Sequence, residues 1–178
     1  CKEIAYVISK KYRKISPILL KIRSPKETGK SFISNSKLKV RYFSKYVDYP
    51  VISDDSGLCI KALKNQPGIY SARMAKRHGG FFNAMKFILK KMKKAKTRSA
   101  TFVCSLSYKN KNKKIITVEG RLKGNISTKI LGKKGFGYDP IFIPIKKKIT
   151  FGQMSKSKKI KMDHRFIAFK KLRKKIKI

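Results

Sequence analysis

The chain has 178 residues, and its 48 lysines and arginines against 8 aspartates and glutamates give a formal net charge of +40. Hydrophobic residues make up 41% of the chain and aromatic residues 11%, which excludes a disordered polycation and suffices for one domain with a buried core. No apolar run approaches the ~18 residues of a membrane-spanning helix, and the N-terminus lacks an apolar signal segment.

Helical and extended patterns alternate along the first half of the chain. Apolar residues have helical spacing over 3–12, and the apolar run at 18–22 predicts a short strand. Ser31 is suited to cap the next helix, which has apolar residues at spacings of three and four and should end before residue 50. A short strand over 51–53 should then stop at a tight turn over 54–57.

The second half of the chain predicts a helix, further strands and a closing helix. The apolar stripe of the first helix should consist of Phe82, Met85, Leu89 and Met92. Residues 101–108 alternate as a half-buried strand, 115–122 pair back across a loop at 110–113, and 140–144 form a short strand. A last helix begins near His164. This order of elements predicts an α/β fold with a mixed sheet.

Positive charge is spread along the whole chain, as 39 lysines and only 9 arginines. This distribution favours a solvated, lysine-coated surface over dedicated nucleic-acid binding, although a small polyanion such as a nucleoside triphosphate fits either interpretation. The three cysteines are widely spaced and form no CxxC pair, which argues against a zinc site or a disulfide framework and fits a reducing cytoplasm.

Two of the eight acidic residues, Asp54 and Asp55, are adjacent, and Ser56 follows them directly. Two carboxylates at a tight turn can hold Mg²⁺ through oxygen ligands, and one of them can deprotonate a water molecule. Like charges side by side also raise one pKa, which suits a base. The alternative is an Asx-turn, in which an aspartate only caps the backbone.

A glycine-rich segment surrounds Phe136, which lies between Gly135 and Gly137. The glycines would let the backbone approach a ligand, and the ring could stack on a nucleobase. Asp139 could accept hydrogen bonds from a base edge or from an amide. The alternative is a hairpin turn with an aromatic plug.

A third cluster consists of Lys159 and the segment Asp163-His164-Arg165. Asp163 is suited to cap the last helix, and the three basic residues would place donors near its N-terminus, where anions bind readily. The alternative for His164 is a buried histidine of the core.

Five segments in order carry a family resemblance: 27–29 with 31–32 and 35; 53–58; 66–73; 135–142; and 159 with 164–165. The chain resembles the inosine/xanthosine triphosphate pyrophosphatase family over essentially its whole length. The resemblance implies two lobes around a long mixed β-sheet, an active site in a central cleft, and a homodimer. It also implies Mg²⁺-dependent hydrolysis of purine nucleoside triphosphates with a non-standard base (ITP, dITP and XTP) to the monophosphate and pyrophosphate.

The resemblance further implies residue roles. Asp55 is expected to be the general base and a metal ligand, with Asp54 beside it as a second ligand. The substrate contacts implied by the resemblance are Ser56, Lys39 at the phosphates, Phe136, Gly137, Tyr138 and Asp139 in the base pocket, and Lys159, His164 and Arg165 at the base or the phosphates. Phe136 is expected to stack on the purine.

The sequence departs from the family pattern in two places. The family's first strand and its Ser/Thr-Gly-Asn-x-x-Lys phosphate-binding loop would precede Cys1, and the chain does not begin with methionine. We therefore expect residues 1–178 to be a single nucleoside-triphosphate pyrophosphatase domain that lacks these two elements. A glutamate that helps hold the metal in the family is Ser34 here, so we expect either fewer carboxylates and weaker Mg²⁺ binding, or a metal held by Asp55 with phosphate oxygens and water.

Two alternative functions remain open. One is a related nucleotide pyrophosphatase that acts on modified pyrimidines. The other is a non-catalytic basic protein that binds RNA or ribosomes, although binding to a phosphate backbone would gain nothing from the retained carboxylates. In the enzyme interpretation, nucleic acid binds only nonspecifically if at all.

Overall fold

The computed structural model describes residues 8, 12–110 and 114–176. Within these residues five strands form one sheet in the order β2-β1-β3-β4-β5, and these strands are β1 (Val51–Ile60), β2 (Gln66–Pro67), β3 (Ser99–Lys109), β4 (Ile116–Ile126) and β5 (Phe142–Pro144). The α-helices are α1 (Phe32–Phe43), α2 (Ser71–Arg77), α3 (Phe81–Lys91), α4 (Lys156–Ile160) and α5 (His164–Ile176). The predicted α/β class is confirmed.

Two compact units make up the chain, in agreement with the two lobes that the resemblance implied. The first unit contains Cys1–Asp55, Cys104–Gly120 and Arg165–Ile178. The second unit contains Ser56–Val103 and Arg121–His164. The acidic pair is divided from the serine that follows it, because the boundary between the units falls directly after Asp55.

Each unit has its own apolar core. In the first unit, the buried face of α5 packs on β3 and β4, and the residues of this core are Cys104, Leu106, Val118, Ala168, Phe169 and Leu172. In the second unit, α3 and the aromatic residues near β5 form the core, which includes Leu58, Ile60, Ile88, Met92, Phe142 and Phe151. Each fully buried leucine or isoleucine contributes about 1.5–3 kcal/mol by leaving water.

Helix α1 begins where the sequence predicts, because Ser31 caps it. The Ser31 hydroxyl accepts the Ser34 N–H at 3.0 Å, and the Ser34 hydroxyl accepts the Ser31 N–H at 2.9 Å. This is a reciprocal capping box with serine in the place that glutamate or glutamine usually fills. The helix ends at Phe43, several residues before the expected end.

Strand predictions were wrong in several details. Strand β1 does not stop at Asp54 but continues through the acidic pair to Ile60. Residues 18–22 are not a strand: they lie in a hydrogen-bonded turn, where Ile18 is 85% exposed. Strand β3 is buried on both faces along its centre rather than on one.

The helices also differ from expectation in part. Phe82 is exposed, whereas Ala84, Met85 and Ile88 form the buried stripe of α3. Helices α2 and α4 are short and were not predicted. The last helix begins at His164, directly after Asp163, as expected. The helix predicted over 3–12 and the loop at 110–113 fall largely outside the described residues.

Candidate active site

Asp54 and Asp55 are neighbours in strand β1 and belong to the first unit. Successive side chains of a strand point to opposite faces, so the two carboxylates diverge. The burial pattern agrees, since Asp55 is buried and Asp54 is only half-buried. The structure therefore does not bring these two residues together as one ligand pair.

Helix α1 holds both carboxylate oxygens of Asp55. The Asn35 side-chain amide donates to Oδ2 at 3.2 Å, and the Lys39 ammonium donates to Oδ1 at 3.0 Å. Asn35 and Lys39 are four residues apart and thus share one face of the helix. Asp55 has a fixed orientation as a result, and each oxygen retains a second lone pair for another partner.

Glu27 is the second carboxylate at this site. Its Oε1 accepts a hydrogen bond from the Lys39 ammonium at 2.8 Å, so the carboxylates of Glu27 and Asp55 converge on one nitrogen atom. The loop that carries Glu27 is tied to α1, because the Gly29 N–H donates to Asn35 Oδ1 at 2.8 Å. Asn35 thereby links this loop to Asp55.

Burial raises the pKa of Asp55 above its ordinary value, and the nearby Glu27 carboxylate adds to the rise. Lys39 and Asn35 oppose this shift without cancelling it. Burial lowers the pKa of Lys39, but the carboxylates of Asp55 and Glu27 more than offset that effect and raise it overall. A carboxyl group with a raised pKa beside a firmly charged lysine is typical of a general base.

The oxygen donors at this site fit a magnesium ion. Mg²⁺ is a hard cation that proteins bind through one or two carboxylates, with phosphate and water oxygens completing its octahedron. Glu27 and Asp55 supply two such carboxylates. Both already contact a positive charge, the ammonium group of Lys39. The described part of the chain contains no cluster of three or more histidine, cysteine or acidic residues that could hold a metal ion.

Asp54 has a different neighbour. Arg165 Nε lies 3.6 Å from Asp54 Oδ2, and both residues belong to the first unit. Arg165 is nearly buried, so its guanidinium is fixed in position rather than free in solvent. Ser56 follows in β1 and is half-buried, as the first residue of the second unit.

In the second unit, the loop before β5 wraps around the Asp139 carboxylate. Asp139 Oδ2 accepts the Phe136 N–H at 2.8 Å and the Lys159 ammonium at 2.6 Å. Gly135 has a φ of +76°, and a Cβ atom there would collide with the Asp139 carboxylate. Asp139 therefore accepts from an amide, one of its two predicted roles, and that amide belongs to its own loop.

Phe136 is the exposed aromatic residue of this loop. Its side chain is 49% exposed, and the Lys159 ammonium lies 4.9 Å from the ring centroid. Gly137 follows with a φ of +66°, which keeps the turn tight next to the ring. An exposed aromatic ring on a rigid glycine-flanked turn is suited to stack on a planar ligand.

The side chain of Tyr138 serves the core. Its hydroxyl donates to the Ser71 carbonyl at 3.0 Å, and its ring packs edge-on against Phe81 with centroids 5.2 Å apart. Burial raises the pKa of Tyr138 to about 12. Any substrate contact by Tyr138 would therefore come from its backbone.

His164 and Lys159 are both buried in the second unit. The His164 ring stacks on Phe102 with centroids 4.7 Å apart and an interplanar angle of 9°. His164 is therefore buried, in agreement with the alternative of a core histidine, and its expected substrate contact stays a prediction. Lys159 joins Phe136 and Asp139 as one local cluster of predicted site residues.

Sequence reasoning missed the individual importance of Glu27 and Asn35. Both belong to a matched segment, yet they lie 28 and 20 residues before Asp55, and no local spacing rule connects them. The rarity of acidic residues was the available signal for Glu27. Ser34, which replaces an expected metal ligand, is engaged in the helix cap.

Two solved bacterial structures show the same fold as this chain. A HAM1 protein from Coxiella burnetii superposes with a TM-score of 0.86 and 28% identity, covering 99% of this chain and 90% of that chain. The Staphylococcus aureus Ham1 protein superposes with a TM-score of 0.84 and 35% identity, covering 90% and 84%. The α/β fold is therefore that of the Ham1 proteins.

Sequence relatives lead to the same family. The Ham1 family model matches residues 1–175. A dITP/XTP pyrophosphatase from Dictyoglomus thermophilum is 44% identical over 153 residues, covering 84% of this chain and 74% of the relative. One from Caulobacter vibrioides is 36% identical over 173 residues, covering 96% and 89%. The chain belongs to the Ham1 family.

Proposed function

We propose that this protein hydrolyses purine nucleoside triphosphates with a non-standard base, such as ITP, dITP and XTP, to the monophosphate and pyrophosphate. Relatives that match most of the chain are named dITP/XTP pyrophosphatases. The observation that carries the proposal is the fixed Asp55 carboxylate, held by Lys39 and Asn35 beside Glu27. This arrangement supplies both a base for water and oxygen ligands for a cation.

In the proposed reaction, Asp55 acts as the general base. It takes a proton from a water molecule whose oxygen forms a bond to the α-phosphorus. The bond between the α-phosphorus and the bridging oxygen to the β-phosphate breaks, and pyrophosphate leaves with that electron pair. Asn35 fixes the Asp55 carboxylate. The Lys39 ammonium contacts the same carboxylate, and from there it can neutralise charge that develops on the phosphate oxygens.

Magnesium is the proposed cofactor, held by Asp55 and Glu27. When bound, Mg²⁺ supplies charge neutralisation and orientation for the triphosphate oxygens. Asp54 was expected to share this metal, but its side chain faces Arg165 instead. We therefore propose Glu27 as the second protein ligand and assign Asp54 to positioning Arg165.

The loop of the second unit is the proposed binding site for the purine base. Phe136 stacks on the ring, while backbone groups of Gly137 and Tyr138 line its edge. Lys159 and Asp139 keep the loop rigid, since their ion pair is buried and adjoins the Phe136 amide. The substrate contacts expected of Ser56, His164 and Arg165 remain part of this proposal.

The wider setting follows the same family resemblance. We propose that residues 1–178 act as one pyrophosphatase domain, that two copies form a homodimer, and that the protein works in the cytoplasm, where nucleotide pools are used. Among the helices described, none is long and apolar enough to cross a bilayer. Analytical ultracentrifugation would detect the dimer by its mass.

A substrate panel tests the proposed function. The protein is assayed with dITP, XTP, ATP, GTP and modified pyrimidine triphosphates, and both pyrophosphate and orthophosphate are measured. We expect pyrophosphate from dITP and XTP at rates at least tenfold above those for ATP and GTP. Faster turnover of the pyrimidines would support the alternative enzyme, and RNA binding without any turnover would support the non-catalytic alternative.

Removal of the metal provides a second arm of the same assay. Chelation with EDTA should abolish pyrophosphate release, and added Mg²⁺ should restore it. Ca²⁺ serves as a comparison, because it prefers more ligands and longer bonds than Mg²⁺. Undiminished activity in EDTA would contradict the proposed cofactor.

A further inference from the structure

A network of buried hydroxyl groups lies between α1 and the sheet in the first unit. The Ser36 hydroxyl is 2.9 Å from the hydroxyls of both Ser105 and Ser107. Ser107 continues the network to Thr117 at 2.9 Å, and the Ser53 hydroxyl donates to the Ser36 carbonyl at 2.7 Å. Ser36, Ser105 and Ser107 are completely buried.

Strand geometry explains why two serines reach one helix residue. Ser105 and Ser107 are two positions apart in β3, so their side chains point to the same face. Ser36 projects from α1 between them. The helix is thus bonded to β3 through two hydroxyls and to β1 through Ser53 by directional contacts.

Proton counting gives an arrangement in which each hydroxyl of this network is satisfied. A hydroxyl has one hydrogen to donate and two lone pairs to accept. Ser36 is 3.0 Å from the Ile33 carbonyl, which can only accept, so its hydrogen is used there. With that hydrogen so used, Ser105 and Ser107 can both donate to Ser36, and Thr117 can donate to Ser107. Every contact is satisfied, and no hydrogen is used twice.

On α1, Ser36 lies between the two residues that hold the proposed base, Asp55. Asn35 precedes it, and Lys39 lies one turn further along the helix. These two side chains hold Oδ2 and Oδ1 of Asp55 at 3.2 Å and 3.0 Å. A shift of the helix away from β1 by a few tenths of an ångström would lengthen both hydrogen bonds beyond their normal range.

We infer that Ser36 is a positioning residue for the reaction: its hydroxyl, held by Ser105 and Ser107, fixes the register of α1 so that Asn35 and Lys39 aim Asp55. Ser36 touches neither the expected substrate nor the metal ligands, and it acts through its helix. The inference rests on the proposed function for its kinetic consequence, whereas its structural consequence can be measured without substrate.

Ser36→Ala is the direct test, and Ser44→Ala is the matched control. Both remove one hydroxyl from α1 or its C-terminal cap, but the bond of the Ser44 hydroxyl within the described residues stays inside the helix, to the Val40 carbonyl at 2.6 Å. With dITP we expect Ser36→Ala to lower kcat about tenfold with KM within about twofold, since alignment rather than binding is lost. Ser44→Ala should leave both constants within about twofold of the wild type.

A measurement without substrate accompanies the kinetics. The side-chain NH₂ resonances of Asn35 report its hydrogen bond to Asp55 through chemical shift and exchange rate. We expect these resonances to move and to exchange faster in Ser36→Ala but not in Ser44→Ala. Ser107→Ala removes one of the two hydroxyl contacts of Ser36 to β3 and should show the same changes to a smaller degree. If Ser36→Ala does not fold, the Ser107→Ala variant tests the positioning role.

The outcomes separate this inference from the proposed function. Folded Ser36→Ala protein with wild-type kcat and unchanged Asn35 resonances would overturn the positioning role and leave only packing. A wild-type protein that releases no pyrophosphate from dITP would instead defeat the proposed function, while the Asn35 resonances would still decide whether Ser36 orients the site.

Discussion

Two lysine–carboxylate pairs, one in each unit, have similar chemistry but different surroundings. Lys159 and Asp139 lie 2.6 Å apart, with side chains only 4% and 2% exposed. Lys39 and Asp55 lie 3.0 Å apart and are 15% and 8% exposed, and Glu27, at 32% exposure, contacts the same ammonium. The Lys159–Asp139 pair is almost completely buried, whereas the Lys39–Asp55 pair is partly accessible to solvent and has a second carboxylate beside it.

On this difference we base the proposal that the Lys159–Asp139 pair is structural and the Lys39–Asp55 pair is reactive. A sealed pair with balanced charges stabilises a loop, here the turn that presents Phe136. Two carboxylates that converge on one ammonium form an arrangement that can accept a metal cation and a phosphate. Exposure and charge balance, rather than the residue types, therefore distinguish the proposed catalytic site from its structural counterpart.

The largest expected effect is that of Asp55→Asn on catalysis. The amide keeps the shape of the side chain but cannot accept a proton from water, so kcat/KM for dITP should fall about a thousandfold. Pyrophosphate release measures the loss, and circular dichroism checks that the fold is retained.

Asp54→Asn is the matched control for this variant, since it makes the same chemical change one residue away on the other face of β1. We expect a much smaller loss of rate. Equal losses in the two variants would contradict the separation of their roles and restore Asp54 as a metal ligand.

Replacing each lysine by methionine tests whether the two ion pairs differ in their contribution to the free energy of unfolding. Lys159→Met leaves the Asp139 carboxylate buried without its ammonium, so the free energy of unfolding should fall by about 3–5 kcal/mol. Lys39→Met should cost less stability, because the carboxylates there are closer to water, but more activity. Urea unfolding of both variants measures the order, and a larger loss for Lys39→Met would reverse the structural and reactive assignments.

Phe136→Ala tests the proposed stacking of the purine. The loss of about 1–3 kcal/mol of stacking energy should raise KM for dITP by a factor of about 5 to about 150, with little change in stability because the ring is half exposed. Phe136→Tyr, which keeps an aromatic face, should remain close to the wild type. If the alanine variant keeps a normal KM, Phe136 does not stack on the base.

The smallest effect concerns Tyr138 at high pH. Its pKa rises to about 12 in the folded protein, above the ordinary value of 10.0, so the folded state keeps the proton more strongly than the unfolded chain. The contribution of protonated Tyr138 to the free energy of unfolding is therefore fully present below pH 10, and it declines as the pH rises towards about 12. Tyr138→Phe should lack this part of the decline in urea unfolding measured across that range; identical slopes for both proteins would contradict it.

The fold class could be predicted from the sequence because helical and strand periodicities are local. The length of β1 could not be predicted, because aspartate, serine and glycine favour turns, and burial in the sheet overrides that preference. The apolar run at 18–22 was misread as a strand for a related reason: a short apolar run does not reveal whether anything covers it.

The candidate site was predictable in part. Asp55, Phe136, Asp139 and Lys159 were selected from short motifs and Lys39 from the family resemblance, and the structure gives them closely linked partners within each unit. The divergence of Asp54 from Asp55 followed only once both residues were known to lie in a strand. The roles of Asn35 and of the serines beneath α1 required the distances, because hydrogen bonds between remote residues leave no spacing pattern in a sequence.

Hydrolysis in ¹⁸O-labelled water tests the central claim most directly, because the claim is that water activated by Asp55 attacks the α-phosphorus. After hydrolysis of dITP, mass spectrometry locates the label in the products. We predict one ¹⁸O atom in the phosphate of dIMP and none in pyrophosphate. Label in pyrophosphate, or release of labelled orthophosphate, would contradict attack at the α-phosphorus and with it the proposed mechanism.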